Sequence, residues 1–323
     1  MYFSKSYFEP ESRNDFFISS MMKHAWAAKL ELLELLLDIC SRNNLTCFAC
    51  GGTLLGAVRH QGFIPWDDDI DMALLRPDYN KLIKLLPQEL PYGFSLAGMY
   101  ASTSEPNHFL PCDQSILVTN ASQWNLADFY HAFHGFPYRS IGIDIYPIDA
   151  LAPDEDSAIW QKHIIQKIAL TTRKLWKNAT PEELSQELED IEELCNVTLP
   201  RDANLIRTLA HLSDTICGLY STDECSEMVN FHSWIISPQN RHSKTDYEHF
   251  TTVPFETMTI PIPCNYHNIL SRCFGDYMTP KQTISMHHYP FYAGQERDFM
   301  AYLKNKGFDG TVEDFCQQYL SVK

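Results

Sequence analysis

The stretch Trp66-Asp67-Asp68-Asp69-Ile70-Asp71-Met72 leads four carboxylates straight into the apolar run Ala73-Leu74-Leu75. Successive side chains of a strand point to opposite faces. With Ile70 to Leu75 read as a buried strand, Asp67, Asp69 and Asp71 share one face while Ile70 and Met72 enter the core. Two carboxylates ~6 Å apart repel by roughly 3 kcal/mol at an effective dielectric of about 20. A fold that keeps them together offsets this with a cation or with raised pKa values. The donors are all oxygens, so Mg²⁺ or Mn²⁺ is the expected ion, shared between one or two carboxylates and substrate phosphates. An exposed acidic loop would not run on into so apolar a segment. A calcium loop of the EF-hand type would need glycine where Met72 stands and glutamate where Asp78 stands.

Upstream, Leu45 to Ala49 reads as a short strand, Gly51-Gly52 breaks it, and Thr53 to His60 reads as the first turns of a helix. A strand, a glycine turn and a helix start form a phosphate-binding arrangement, because backbone N–H groups can approach the ligand. Gly52 and the Thr53 hydroxyl are its candidate contacts. Arg59, His60 and Arg76 flank the acids and suit either phosphate contact or ion pairing with the aspartates. A second acidic segment, Ile141 to Asp149, sets Asp144 between isoleucines. A carboxylate there is costly unless it serves a site or is hydrogen-bonded. Beside the first acidic strand it would complete a three-carboxylate metal centre. Asp149, just past Pro147, reads as a cap or turn residue.

The rest of the chain sets the frame. Residues 15 to 42 read as one helix with an apolar stripe at Trp26, Leu30, Leu33, Leu37 and Cys40. A further helix is expected from Asp78 to Leu86. Residues 153 to 230 are mostly helical in pattern, with a helix starting at Pro181 behind a Thr180 cap. Residues 250 to 263 alternate like strands, and a tail of helix and loop follows. At 323 residues and 45% hydrophobic content the chain can bury a large core. It reads as a single domain over 1–323, with a core over 15–150 and a helical insertion plus C-terminal part over 151–323. The net charge of −16 repels polyphosphate, so nucleic acid is excluded as the main partner. No apolar run of ~18 residues is present, so no membrane span is expected. The opening residues lack an apolar signal region. Ten scattered cysteines fit reduced thiols, and with these features they point to the cytoplasm.

The run from Gly52 to Asp71, which reads Gly-Thr-Leu-Leu-Gly-Ala-Val-Arg-His-Gln-Gly-Phe-Ile-Pro-Trp-Asp-Asp-Asp-Ile-Asp, resembles the LicD family, whose relatives include fukutin and fukutin-related protein. Ile143 to Asp149 resembles the family's second acidic segment. Pro254-Phe255-Glu256, Phe274 to Met278 and Met22 to Trp26 resemble further landmarks. The resemblance implies a nucleotidyltransferase-like α/β (α+β) fold, a small mixed sheet flanked by helices, with a mostly helical additional region. It implies Mg²⁺ on Asp69 and Asp71 with Asp144 as the third acid. It also implies a nucleotide-activated donor, a cytidine diphosphate (CDP) conjugate, from which phosphocholine or a phospho-polyol passes to a glycan or lipid-linked saccharide. Asp67 and Asp276 join the candidate substrate-binding residues, and Lys281, His287 and His288 lie in the same polar tail. Two other readings stay open: a nucleotidyltransferase that releases pyrophosphate from a nucleoside triphosphate, and a non-catalytic metal- or nucleotide-binding module.

Overall fold

The computed structural model describes residues 1–101, 117–120, 125–139, 141–282 and 289–320. After a short 3-10 helix (Lys5–Phe8) the chain forms a hairpin, β1 (Glu11–Arg13) and β2 (Phe16–Ile18), and continues into α1 (Ser20–Arg42). It then forms β3 (Cys47–Ala49), α2 (Gly51–His60), β4 (Asp71–Leu75), α3 (Arg76–Glu89), β5 (Phe94–Ala97), β6 (Leu117–Asn120), α4 (Leu126–Ala132) and β7 (Gly142–Ala150). Helices α5 (Glu155–Trp176), α6 (Ser185–Cys195) and α7 (Leu205–Cys217) follow, with β8 (Glu227–Val229), α8 (Phe231–Ile236) and β9 (His242–Ser243) behind them. A hairpin of β10 (Phe250–Phe255) and β11 (Met258–Pro263) leads to α9 (Tyr266–Phe274), α10 (Ala293–Asn305) and α11 (Val312–Phe315).

One mixed sheet organises the molecule. Its order is β3-β4-β7-β6-β5, with β8 on the far end of β7 and β9 beside β8. β4 and β7 run parallel, and their register sets Asp71 opposite Asp144. The other pairings along the path are antiparallel. Met72, Ala73 and Leu74 are all buried, the mark of a central strand covered on both faces. One cover is α1, where Trp26, Ala27, Ala28, Leu30, Leu32 and Leu33 lose all exposure. This core extends to Ile260 and Ile262 of β11 and Leu303 of α10. A second apolar cluster lies among α5 to α8, around Ile165, Leu188, Leu209 and Trp234. No helix among the described residues is long and apolar enough to cross a membrane.

Three expectations change. The helix expected over 15–42 begins only at Ser20, because Asn14 and Asp15 take left-handed φ angles of 49° and 60° and turn the chain into a hairpin. Two successive positive φ values are what a tight hairpin turn requires. Ser19 then caps α1 by accepting the Met22 N–H. Thr180 does accept the Glu183 N–H, but the helix proper starts at Ser185. The strand that carries the acids starts at Asp71, so Asp67 and Asp69 belong to the incoming loop and owe their position to it.

Candidate active site

The loop from Asp67 to Ile70 is tied down at each step. Trp26 Nε1 donates to the Asp67 carbonyl at 3.3 Å. Fully buried Asp68 accepts the Phe291 N–H at 2.7 Å. The Ile70 carbonyl accepts the Asp144 N–H at 2.9 Å, which starts the β4–β7 ladder at the two acids. On the other side, Cys50 N–H donates to the Asp71 carbonyl at 3.2 Å. The Asp71 N–H donates to Thr53 Oγ1 at 2.8 Å.

The glycine turn presses directly on the acids. Gly51 has φ +51°, and a Cβ on it would stand 3.0 Å from Asp71 Oδ2. A Cβ on Gly52 would stand 2.8 Å from Asp67 Oδ2. Only glycine lets the start of α2 and the carboxylates come this close. Burial raises Asp71 well above the usual carboxylate range, and the charges of Asp69, Asp144 and Asp67 add to it, while Lys29 opposes. Burial, followed by Asp69, pushes Asp67 up to about 8. Protonation or a cation relieves such a crowd of acids.

Among the described residues, no group of three or more His, Cys, Asp or Glu side chains is placed to hold a metal ion. An Mg²⁺ ion binds one or two carboxylates and fills its remaining positions with water and phosphate oxygens, so an all-oxygen set fits it. Asp69 and Asp71 also line a pocket of about 400 Å³ with Cys50, Gly51, Tyr146 and residues of α8, β9 and α9.

The other expected residues fall elsewhere. Arg59 and His60 lie at the end of α2 remote from Gly51, about 14 Å along a helix of this length. There Arg59 donates to the Tyr277 carbonyl at 2.8 Å and to His60 Nδ1 at 3.3 Å. Arg76 lies past the opposite end of β4 from Asp71, where it pairs with aspartates outside the Asp67–Asp71 run. It donates to both oxygens of Asp149, at 2.5 and 2.9 Å, and to Asp214 Oδ1 at 2.7 Å. Asp149 is therefore a buried strand residue with a charge partner, not a cap. Asp276 is exposed and accepts from Thr279 Oγ1. Lys281 is exposed, and His287 and His288 lie outside the described residues.

Two features escaped the sequence reading. Lys29 is buried in α1, donates to the Gly142 carbonyl at 3.0 Å and lies over the Phe291 ring. Its signal was a lysine three residues after Trp26, inside the apolar stripe. The pocket wall from Asn230 to His242 left no motif. β8 carries it into place by pairing with the end of β7, and Asn230 Nδ2 donates to the Pro147 carbonyl at 3.3 Å.

Residues 44–166 match the family described as LicD/FKTN/FKRP, nucleotidyltransferase domain. This span holds the glycine turn, β4, β7 and all the acids of the cluster. Over this span, which is less than half of the chain, the protein is similar to the nucleotidyltransferase-type domain of the LicD family, set here on a mixed sheet. The chain is similar to the lipopolysaccharide cholinephosphotransferase LicD of Haemophilus influenzae, 24% identical over 275 residues, which are 80% of this chain and 92% of that protein. It is also similar to the uncharacterized protein RP689 of Rickettsia prowazekii, 41% identical over 71 residues, which are 21% of this chain and 27% of that protein.

Proposed function

We propose that this chain, a phosphotransferase of the LicD type, uses Mg²⁺ or Mn²⁺ and a CDP-activated donor. It would move phosphocholine or a phospho-polyol onto a hydroxyl of a glycan or lipid-linked saccharide. The observation that carries the reading is the register of Asp71 against Asp144 on adjacent parallel strands, with the glycine turn pressed against Asp71 and Asp67. Asp69, Asp71 and Asp144 are the residues that would hold the ion. When bound, it would supply positive charge to the diphosphate oxygens as the leaving group departs.

The residues of the chain have the remaining tasks. The amides at the start of α2 bind phosphate oxygens, because they form the positive end of a helix dipole. An acceptor hydroxyl attacks the phosphorus that bears the transferred group. The bond from that phosphorus to CMP breaks, CMP leaves with the electron pair, and the hydroxyl proton passes to a nearby carboxylate, for which Asp144 is the candidate. The cytoplasm, where nucleotide-activated donors are made, is the corresponding compartment.

The test is calorimetry and product analysis with CDP-choline, CDP-ribitol, CDP-glycerol, CTP and ATP in the presence of Mg²⁺. Metal-dependent binding of one CDP conjugate, with release of CMP, is expected. Both should vanish in Asp69→Ala and Asp71→Ala, and full turnover in either variant would sink the scheme. Pyrophosphate release from CTP or ATP would make the chain a nucleotidyltransferase. Metal binding without turnover would make it a binding module.

A further inference from the structure

The pocket beside the acids has a second wall, far from them in sequence and different in character. Asn230, His232, Ser233, Ser237, Asn240 and His242 line it, all polar side chains and none of them a carboxylate, and none lies in the 44–166 match. Asn240 and His242 are 8% and 5% exposed. Asn240 Nδ2 donates to Ser233 Oγ at 2.5 Å, and its Oδ1 has no hydrogen-bond partner. His242 Nε2 lies 3.8 Å from Cys273 Sγ, and its Nδ1 has no partner either. A buried polar atom left without a partner is costly, and native folds rarely keep two in one wall without a use. Turning the Asn240 amide over would exchange the oxygen for an NH₂ and leave the same unmet demand.

This wall does not suit a choline headgroup. A quaternary ammonium has no hydrogen-bonding group to meet Asn240 Oδ1 or His242 Nδ1. The wall suits a flat neutral heterocycle with polar groups along its edge. Tyr146, Tyr247 and Phe274 line the same pocket and offer aromatic faces. We infer that the wall formed by Asn240, His242 and Ser233 is a nucleobase subsite that reads the hydrogen-bonding edge of an aminopyrimidine while the acids take the diphosphate. The inference rests on the CDP-donor reading and adds to it the residues that select the base. Burial holds His242 down to about 4, with Asp246 opposing and Arg272 reinforcing, so the ring is neutral at physiological pH and matches an uncharged base.

Calorimetry with Mg²⁺ and four probes tests this: CMP, UMP, AMP and pyrophosphate, which has no base. The wild-type protein should prefer CMP. Asn240→Ala should weaken CMP on the order of tenfold while pyrophosphate affinity stays unchanged. His242→Phe, which keeps an aromatic ring but no ring nitrogen, should narrow the gap between CMP and AMP. Retained pyrophosphate binding shows that a variant is folded. Equal wild-type affinity for the three monophosphates, or an intact CMP preference in both variants with pyrophosphate binding retained, would overturn the subsite and leave the transferase reading standing. A wild-type protein that binds pyrophosphate but no nucleotide would overturn the donor reading and the subsite together.

Discussion

Arg76 shows how a residue drawn from a motif can serve the frame around a site. One guanidinium holds Asp149 and Asp214, with all three side chains at most 10% exposed. Tyr100 donates to the remaining oxygen of Asp214. Burial pushes Asp149 up to about 6 even with Arg76 opposing. Removing one member of a buried charge group leaves the others uncompensated, which costs about 3–5 kcal/mol. Arg76→Ala should therefore lower the unfolding free energy, read from urea denaturation, by that order. Where the variant is still folded, its affinity for pyrophosphate and Mg²⁺ should match the wild type. A selective loss of pyrophosphate affinity with normal stability would return Arg76 to the phosphate site.

At the scale of elements, the site depends on how α2 joins β4. Thr53 Oγ1 accepts the first amide of the strand, so one hydroxyl fixes the helix start against the acid. Thr53→Val keeps the shape and removes the acceptor. It should cost about 1–2 kcal/mol, within the usual cost of an unmet buried donor, and it should reduce turnover. Thr53→Ser should recover most of both, as read from denaturation midpoints and CMP release. A Val variant as active as the Ser variant would show that the tie does not matter. The acids and the glycine turn were legible in the sequence because each is a short local pattern. Asp144 was legible because a charge among isoleucines is conspicuous. Lys29 was hidden because a lysine inside the apolar stripe of a 23-residue helix reads as an exception to that stripe. The Asn230–His242 wall was hidden because strand pairing brings it to β7 from about 80 residues away, and nothing local encodes that. The hairpin before α1 was missed because a helical periodicity does not reveal two left-handed residues ahead of it.

For the molecule as a whole, acid stability follows from groups that the fold keeps neutral. Burial lowers His242 and His60 to about 4 from an ordinary value near 6.5. Between these values the unfolded chain binds protons that the folded chain refuses. Stability therefore rises with pH across this window and is lost as pH falls from 6.5 toward 4. Asp149 acts with the opposite sign, because its raised value lets the folded state keep a proton that the unfolded state has lost. The net charge of −16 also works against the histidines, since self-repulsion eases as carboxylates protonate. These contributions are common to the wild type and a His242→Asn variant, so the difference between the two isolates His242. Urea unfolding at pH 7, 6 and 5 should show the wild type losing ground to the variant at each step down. A difference that stays constant across this range would mean that His242 takes up its proton in the folded protein as readily as in the unfolded chain, and that the wall it belongs to is open to water.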